Sequence, residues 1–167
     1  MTQPRWLTDD QQRAWRKLAA LMTLLPSALD AQLQRDAQLT HFGYWTLAML
    51  SEAPDHKLRM SELAARSSAS QSRISHAVAK LEERGWVRRD PCPEDRRGFV
   101  AVLTDAGYAK LVETAPGHVD RVRDLVVDAL TDAQLVELER ACDAMLERFD
   151  VDPAAVPDAL PRPAVQA

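Results

Sequence analysis

The sequence predicts a mainly α-helical chain that carries one small β-hairpin. Of its 167 residues, 46% are hydrophobic and only 5% are aromatic, and Ala, Leu and Val dominate, a composition that favours helix over sheet. Apolar residues recur at three- and four-residue spacing near both ends of the chain. Between these segments, residues 61–107 combine two short helical patterns with an arginine-rich hairpin. The length fits one domain, or one domain with an appended helical region.

The N-terminal segment is predicted to form a long amphipathic helix. Thr8 and Gln11 have the spacing of a capping box, in which each side chain bonds the backbone of the other residue. Pro26 lies inside the pattern and removes one backbone hydrogen bond, so we expect a kink or a break there. A second helix is expected over 40–51, ended by Ala-Pro-Asp at 53–55. The apolar stripe of the first helix consists of Trp15, Leu18, Met22, Leu25, Leu29 and Leu33.

A very short strand and a short helix open the central segment. The strand is expected at 58–60, and Ser61 is expected to cap a helix that runs to about Arg66. That helix should bury Leu63 and Ala64. Residues 67–69, Ser-Ser-Ala, then form a turn.

The next helix, at about 70–84, presents two faces of different character. Ser70 is a good N-cap, and the apolar residues Ile74, Val78 and Leu81 fall on one stripe that faces the core. The opposite face is polar and lacks large apolar side chains. The residues left facing outward are Gln71, Ser72, Arg73, Ser75, His76, Ala79 and Lys80.

A hairpin is expected directly after this helix. Gly85 can end the helix in the left-handed conformation, and strands are predicted at 86–89 and 98–103. Residues 90–97 are too many and too charged for a tight turn, so we expect a protruding loop. A short helix, a turn, a polar-faced helix and a hairpin with a long tip form a winged helix-turn-helix, with the wing at 90–98.

The C-terminal segment is again predicted to be helical. Thr104 should cap a helix that runs to about Leu130, with an irregularity at 116–117, where Pro precedes Gly. Thr131 and Gln134 have the spacing of a second capping box. The stripe that follows consists of Leu135, Leu138, Cys142, Met145, Leu146 and Phe149. The proline-rich residues from 151 onward are predicted to be a disordered tail.

Charge is divided unevenly along the chain. The whole chain has a net charge of −4, but residues 57–97 carry ten Lys or Arg and six Asp or Glu, a net of +4. Counterions screen charges beyond about 8 Å at physiological salt, so a phosphate responds mainly to the surface that it touches. The acidic total is therefore no obstacle to nucleic-acid binding through this segment.

The polar helix and the wing are the candidate site for double-stranded DNA. An α-helix fits the major groove, and Arg73 in its first turn is the best candidate for a bidentate contact with guanine. Lys80 and Ser70 are placed for phosphate contacts. Arginines at a loop tip can enter a narrow minor groove, where a neighbouring carboxylate can orient a guanidinium. The candidates are Ser70, Gln71, Ser72, Arg73, Ser75, His76 and Lys80 on the helix, and Asp95, Arg96 and Arg97 on the wing.

The sequence contains no comparable motif for an enzyme or a metal site. The four histidines lack HExxH spacing, and neither a G-x-S-x-G motif nor a phosphate-binding glycine loop occurs, so we expect no enzyme. Cys92 and Cys142 belong to no Cys/His cluster, so no metal or other cofactor is expected. A redox role for Cys92, in a loop expected to be exposed, is a minor hypothesis. A winged helix that docks only proteins is a further alternative, since fold alone does not define function.

Targeting signals are also missing from the sequence. No run of about 18 apolar residues occurs, and the N-terminus lacks the charged-then-apolar order of a signal peptide. We therefore expect a cytoplasmic protein without a membrane partner.

The wing and the cap after it resemble the MarR family of bacterial transcription regulators. Residues 95–107, DRRGFVAVLTDAG, match the family pattern D-x-R...V-x-LT-x-x-G, and residues 78–87 resemble the end of its recognition helix and the first wing strand. The helices on both sides follow the same order, so the resemblance covers roughly residues 8–149.

The resemblance implies a homodimer that represses transcription from a pseudopalindromic operator. Residues 8–55 and 104–150 would then supply support and dimerisation, and residues 56–103 would form the DNA-binding module. Arg97 would be the minor-groove residue, with Asp95 as its orienting partner. Both terminal regions carry apolar stripes that the small winged module cannot cover alone, which also favours a dimer.

The resemblance further implies a small aromatic or phenolic effector. Family members often bind such ligands between the dimer helices and the winged module, which weakens DNA binding. Trp15, His41, Tyr44 and Trp45 are candidates to line a pocket of this kind. The alternative is that these four residues are ordinary core residues.

Overall fold

The computed structural model of the chain describes residues 4–92 and 95–149, apart from the side chains of 95–97. The tail predicted to be disordered, 151–167, lies outside the described residues. The helices are α1 (Asp9–Ala37), α2 (His41–Glu52), α3 (Met60–Arg66), α4 (Gln71–Glu83), α5 (Asp105–Val122) and α6 (Asp132–Leu146), and the strands are β1 (Lys57–Arg59), β2 (Val87–Cys92) and β3 (Asp95–Leu103). The predicted fold class, mainly helical with a small β-hairpin wing, is confirmed.

Local capping rules define the start of both terminal helices. The backbone N–H of Gln11 donates to Thr8 Oγ1 at 3.3 Å, and Thr8 N–H donates back to Gln11 Oε1 at 3.0 Å. The same box forms at Thr131 and Gln134. Helix α1 continues through Pro26, so the structure excludes the break expected there. The carbonyl that loses its partner belongs to exposed Met22, where water can bond it.

The start of α3 differs from the prediction. Ser61 is not the N-cap, because the helix begins at Met60 and its capping position, Arg59, makes no side-chain cap hydrogen bond. The cause is long-range pairing. Arg59 still belongs to β1, opposite Val100 of β3, so the chain passes from strand to helix within one residue.

Helix α5 also differs in detail from the prediction. It continues through Pro116, where the irregularity was expected, and its α-helical part ends at Val122, before a further helical turn that reaches Val127. The irregularity lies at Arg123–Val127, a π-helical turn in which Asp128 N–H donates to Arg123 O at 2.8 Å. The predicted position of the irregularity is therefore wrong.

The three strands form an antiparallel sheet in the order β1-β3-β2. The strands of the hairpin are longer than predicted, because β2 extends to Cys92 and β3 begins at Asp95. Pro91 lies opposite Phe99, and the register shifts between Pro91 and Cys92. An edge strand tolerates a proline, since its outer N–H groups need no partner in the sheet. The expected loop over 90–97 is therefore mostly strand.

The core positions the polar helix. Helix α2 is buried along most of its length and packs against α4, α5 and the sheet. Ile74, Val78 and Leu81 of α4 are all buried, as predicted from their spacing. Gly107, in the first turn of α5, approaches the Trp86 carbonyl so closely that a Cβ atom would collide with it. This contact fixes α5 against the start of the wing.

The terminal helices leave large apolar side chains exposed. The outer, N-terminal half of α1 exposes Trp15 (53% exposed), Leu21, Met22 and Leu24 (65%). The C-terminal segment exposes Leu138, Met145 and Phe149 (77%). Contiguous exposed apolar residues mark surfaces of interaction. Among the helices in the described ranges, none combines the length and the apolar character needed to cross a membrane.

Candidate nucleic-acid interface

Helices α3 and α4 form the helix-turn-helix. Ser67 Oγ donates to Leu63 O at 2.6 Å and Ala69 N–H donates to Ala64 O at 3.0 Å, which closes the turn after α3. Ser70 then caps α4, because its Oγ accepts from the Arg73 N–H at 3.2 Å. The predicted N-cap is confirmed, and its bond orients the first turn of the polar helix.

The buried stripe of α4 determines what its other faces present. With 3.6 residues per turn, Ser72 and His76 lie opposite Ile74 and Val78. Gln71 and Ser75 lie on the flank toward the hairpin, and Lys80 lies on the flank toward α2. All the predicted α4 contact residues, Gln71, Ser72, Arg73, Ser75, His76 and Lys80, are exposed. The helix therefore offers one continuous polar surface, although exposure alone does not test its contacts with DNA.

Arg73 is held on the α2 flank by an aromatic ring. Its guanidinium carbon lies 4.1 Å from the ring centroid of Phe42, at the start of α2, a cation–π geometry. The ring limits the conformations of a long side chain that is otherwise exposed.

A groove of about 320 Å³ separates α4 from the hairpin. Its polar wall includes Gln71 and Ser75 from α4, Ser61 from α3, and two arginines from the sheet, Arg59 and Arg89. Ser61, Arg59 and Arg89 were not among the predicted site residues. The only sequence signal for them was the local excess of positive charge, since three separate elements bring them together.

The arginines at the base of the wing are paired with carboxylates. Arg88 Nε lies 3.1 Å from both carboxylate oxygens of Asp90, and this carboxylate raises the pKa of the Arg88 guanidinium. Arg89 instead reaches across to Glu82 of α4, and its hydrogen bonds hold the pKa of Glu82 below the usual range. Both pairs are exposed or half-exposed.

The tip of the wing carries the remaining predicted residues. Asp95, Arg96 and Arg97 lie in the first part of β3, so the structure places their backbone on the hairpin. Their side chains lie outside the described part of the chain. The contacts predicted for these three residues stay predictions.

Cys92 does not have the environment expected for a redox residue. It was predicted to lie in an exposed loop, but it is only 6% exposed and ends strand β2. The prediction of exposure is wrong because the strands of the hairpin run further than expected. Burial removes the access that an oxidant needs, which weakens the redox hypothesis.

The aromatic residues proposed for an effector pocket have different environments. Tyr44 is fully buried in the core, Trp45 packs against that core, and Trp15 is exposed on α1. The Tyr44 ring lies 4.4 Å from that of His118 in α5, and His118 lies 5.8 Å from His41. Tyr44 and Trp45 thus fit the ordinary core alternative better than a preformed pocket.

Polar atoms are nevertheless buried near the contact of His118 with Tyr44. Tyr44 Oη, His118 Nδ1 and Gln32 Oε1 are buried without a hydrogen-bond partner. Burial, followed by the nearby His41, lowers the pKa of His118 to about 4, and burial raises the pKa of Tyr44 to about 12. Both groups are therefore neutral near pH 7. Within residues 4–92 and 95–149, no group of three or more His, Cys, Asp or Glu is arranged to hold a metal ion.

Comparison with known proteins places this geometry in a family. A family model described as "MarR family" matches residues 39–99. The chain is 49% identical to Sco3205, a MarR family transcriptional regulator from Streptomyces coelicolor whose crystal structure is a complex with DNA; the match covers 86% of this chain and 94% of that one, with a TM-score of 0.83. AbsC, a MarR family transcriptional regulator from the same organism, is 39% identical over 88% of this chain and 99% of its own, with a TM-score of 0.82.

A curated relative matches over a shorter stretch. The HTH-type transcriptional repressor YetL of Bacillus subtilis (strain 168) is 30% identical over 105 residues, which are 63% of this chain. The match spans 62% of the length of that relative.

Proposed function

The chain belongs to the MarR family of transcriptional regulators, and we propose that it is a homodimeric repressor that binds a pseudopalindromic operator in double-stranded DNA. Two relatives support this proposal, because Sco3205 was crystallised with DNA and YetL is a repressor. Family membership in a class of transcription regulators also agrees with the expectation of a protein that is not an enzyme. The observation that carries the proposal is the polar outer face of α4 beside an arginine-bearing wing.

Helix α4 is proposed to enter the major groove. Its short polar side chains, above all Ser72 and His76, can approach base edges without an apolar side chain in the way. Arg73 would contact guanine O6 and N7, for which it must leave or slide along the Phe42 ring. Gln71 and Ser75 flank this contact on the wing side, and Lys80 and Ser70 are proposed phosphate contacts.

The wing is proposed to reach the adjacent minor groove. Arg97 would insert there and Asp95 would orient its guanidinium, while the contact of Arg96 is less specific because it occupies the variable position of the motif. The groove between α4 and the wing would then hold the phosphate backbone that separates the two DNA grooves. Arg59 and Ser61 line that groove and extend the proposed contact surface.

The terminal helices are proposed to form the dimer. The exposed apolar side chains of α1 and of the C-terminal segment give each protomer a surface that a second copy can bury. Residues 8–55 and 104–150 would supply this interface around the DNA-binding module at 56–103. A twofold axis would place two α4 helices in half-sites about 10 base pairs apart.

A small aromatic or phenolic effector is proposed to weaken DNA binding. Its site would have to open between α1, α2 and α5, where buried polar atoms of Gln32, Tyr44 and His118 lack partners and would gain from a ligand that bonds them. Phenol and benzoate are the simplest probes of this chemistry. An effector of this class should raise the melting temperature and release the operator, whereas no change with a series of such compounds would reject it.

Footprinting on the DNA upstream of the chain's own gene tests the main proposal. We expect protection of an inverted repeat whose two halves are one helical turn apart, at a stoichiometry of two chains per site. Protection that shows no symmetry, or binding at one chain per site, would contradict the dimeric repressor. A random duplex of the same length measures the non-specific component at the same salt concentration.

A further inference from the structure

A single carboxylate joins the two elements that are proposed to bind DNA. Glu82 lies in the last turn of α4, and Arg89 lies in β2 at the base of the wing. Glu82 Oε1 accepts from the backbone N–H of Arg89 at 3.1 Å, and Glu82 Oε2 accepts from Arg89 Nε at 2.8 Å and Nη2 at 2.5 Å. Three bonds to one residue, of which one is to its backbone, fix both the strand and its side chain relative to the helix.

The neighbouring pair, Arg88 and Asp90, does not connect two elements in this way. Arg88 and Asp90 form a more exposed ion pair, and both residues belong to β2. That pair can stabilise the strand but cannot fix its angle to α4. Because side chains alternate along a strand, Arg88 and Asp90 also face away from the groove that Arg89 lines.

The connection between helix and wing needs such a constraint. Only residues 84–86 separate α4 from β2, and Gly85 adopts a left-handed conformation with φ of 72°. The backbone there is held by bonds from Gly85 N–H to Glu82 O and from Trp86 N–H to Leu81 O. The Glu82–Arg89 bridge lies beyond this turn and further toward the tip of the wing, where a small change of angle produces a larger displacement.

We propose that Glu82 is a positioning residue for DNA binding, which acts through Arg89 to hold the wing at the angle that lets α4 and the wing engage adjacent grooves together. This inference rests on the proposed function. Preorganisation lowers the entropy lost on binding, because the wing need not be ordered when it meets the minor groove. Glu82 itself contacts no DNA in this account.

Because Glu82 is negatively charged, the direction in which its replacement changes DNA affinity tests the inference. Glu82 is a carboxylate on the face that meets a polyanion, so its removal should strengthen DNA binding if charge alone matters. A positioning role predicts the opposite result. The two explanations therefore differ in direction, not only in size.

The experiment measures the affinity of Glu82→Ala and of matched variants for a duplex from the region upstream of the chain's own gene, at constant salt. We expect Glu82→Ala to weaken binding roughly three- to tenfold, although it removes a negative charge. Asp90→Ala is the matched control, because it removes the same charge and breaks a similar ion pair within one strand. It should bind as tightly as the parent chain or more tightly.

A double-mutant cycle connects the bridge to the wing tip. If Glu82 acts by positioning the wing, its removal should change affinity less than about twofold in an Arg97→Ala background, because the wing contact is already lost. Circular dichroism and light scattering on each variant check that helicity and the dimer are unchanged.

The outcomes separate this inference from the function on which it rests. Parent-like or tighter binding by Glu82→Ala, or effects of Glu82→Ala and Arg97→Ala that add in full, would overturn the positioning role. Arg97→Ala without any effect would instead contradict the proposed minor-groove contact of the wing. Weakening by Glu82→Ala alone, together with a non-additive cycle, supports the inference.

Discussion

The winged module and the terminal helices differ in how far their large apolar side chains are buried. In α4, Ile74, Val78 and Leu81 are buried and the remaining surface is polar. In the outer half of α1 and around Phe149, large apolar side chains face outward. The apolar side chains of the winged module are thus buried within the chain, whereas we propose that a second protomer buries those of the terminal helices. Contacts with DNA and contacts between protomers should therefore be separable by mutation.

The largest expected effect is on association, at Leu24. This α1 residue is 65% exposed in one protomer, and Leu24→Glu would place a charge in the proposed dimer interface in two copies. We expect a loss of about 3–6 kcal/mol of association free energy per dimer, from about 1.5–3 kcal/mol for each leucine. Sedimentation should show monomers, while Gln12→Glu, an exposed change nearer the start of α1, should leave the dimer intact. A stable Leu24→Glu dimer would place the interface elsewhere.

The next effect concerns the stability of the winged module. Ile74→Ala removes a fully buried side chain from α4, and we expect the free energy of unfolding to fall by about 2–5 kcal/mol. Urea denaturation at a concentration that keeps the protein dimeric measures this loss. Ser72→Ala, on the opposite face of the same helix, should change stability by less than about 0.5 kcal/mol. Equal effects at the two positions would mean that α4 is oriented differently.

A smaller effect on stability is expected from pH, because His118 of α5 is buried against α2. The folded protein holds the pKa of His118 at about 4, whereas the unfolded chain takes up this proton near pH 6.5. The unfolded state therefore binds more protons between these values, so stability is lost as the pH falls from about 6.5 toward 4. The pKa of His41 is also lowered by burial, opposed by Asp30, and acts in the same direction.

In His118→Gln, we expect the loss of unfolding free energy on acidification to be smaller by about 1–3 kcal/mol than in the parent chain. Urea titrations at pH 7 and pH 5 compare the variant with the parent chain. An equally steep loss in both proteins would assign the pH dependence to other groups.

The smallest effect is expected at Cys92. Because this thiol is buried at the end of β2, brief treatment of the folded protein with diamide should leave DNA affinity within about twofold of the untreated value. Cys92→Ser identifies the source of any change that does occur. Release of DNA by diamide in the parent chain, but not in this variant, would restore the redox hypothesis.

Features governed by neighbouring residues were predictable from the sequence. The capping boxes at Thr8 and Thr131 and the cap at Ser70 need residues only three positions apart. The buried stripe of α4 follows from helical periodicity alone. These local rules predicted the fold class and the exposed face of α4.

Features governed by distant partners were not predictable in the same way. The start of α3 depends on the pairing of Arg59 with Val100, and the burial of Cys92 depends on strands that continue past Pro91. Charge and proline made residues 90–97 resemble a loop, but an edge strand accepts both. The bond from Arg89 to Glu82 also requires the folded hairpin, so the sequence offered only charge as its signal.

The affinity of Arg73→Ala for the upstream duplex, measured with its oligomeric state, tests most directly whether α4 reads DNA independently of the dimer. We expect binding to weaken by about 1–3 kcal/mol, with the loss confined to the specific duplex. The dimer and the helicity should stay unchanged, because Arg73 is exposed and its guanidinium lies on the ring of Phe42 at the protein surface. Parent-like affinity, or a variant that binds poorly because it no longer forms dimers, would contradict this separation of roles.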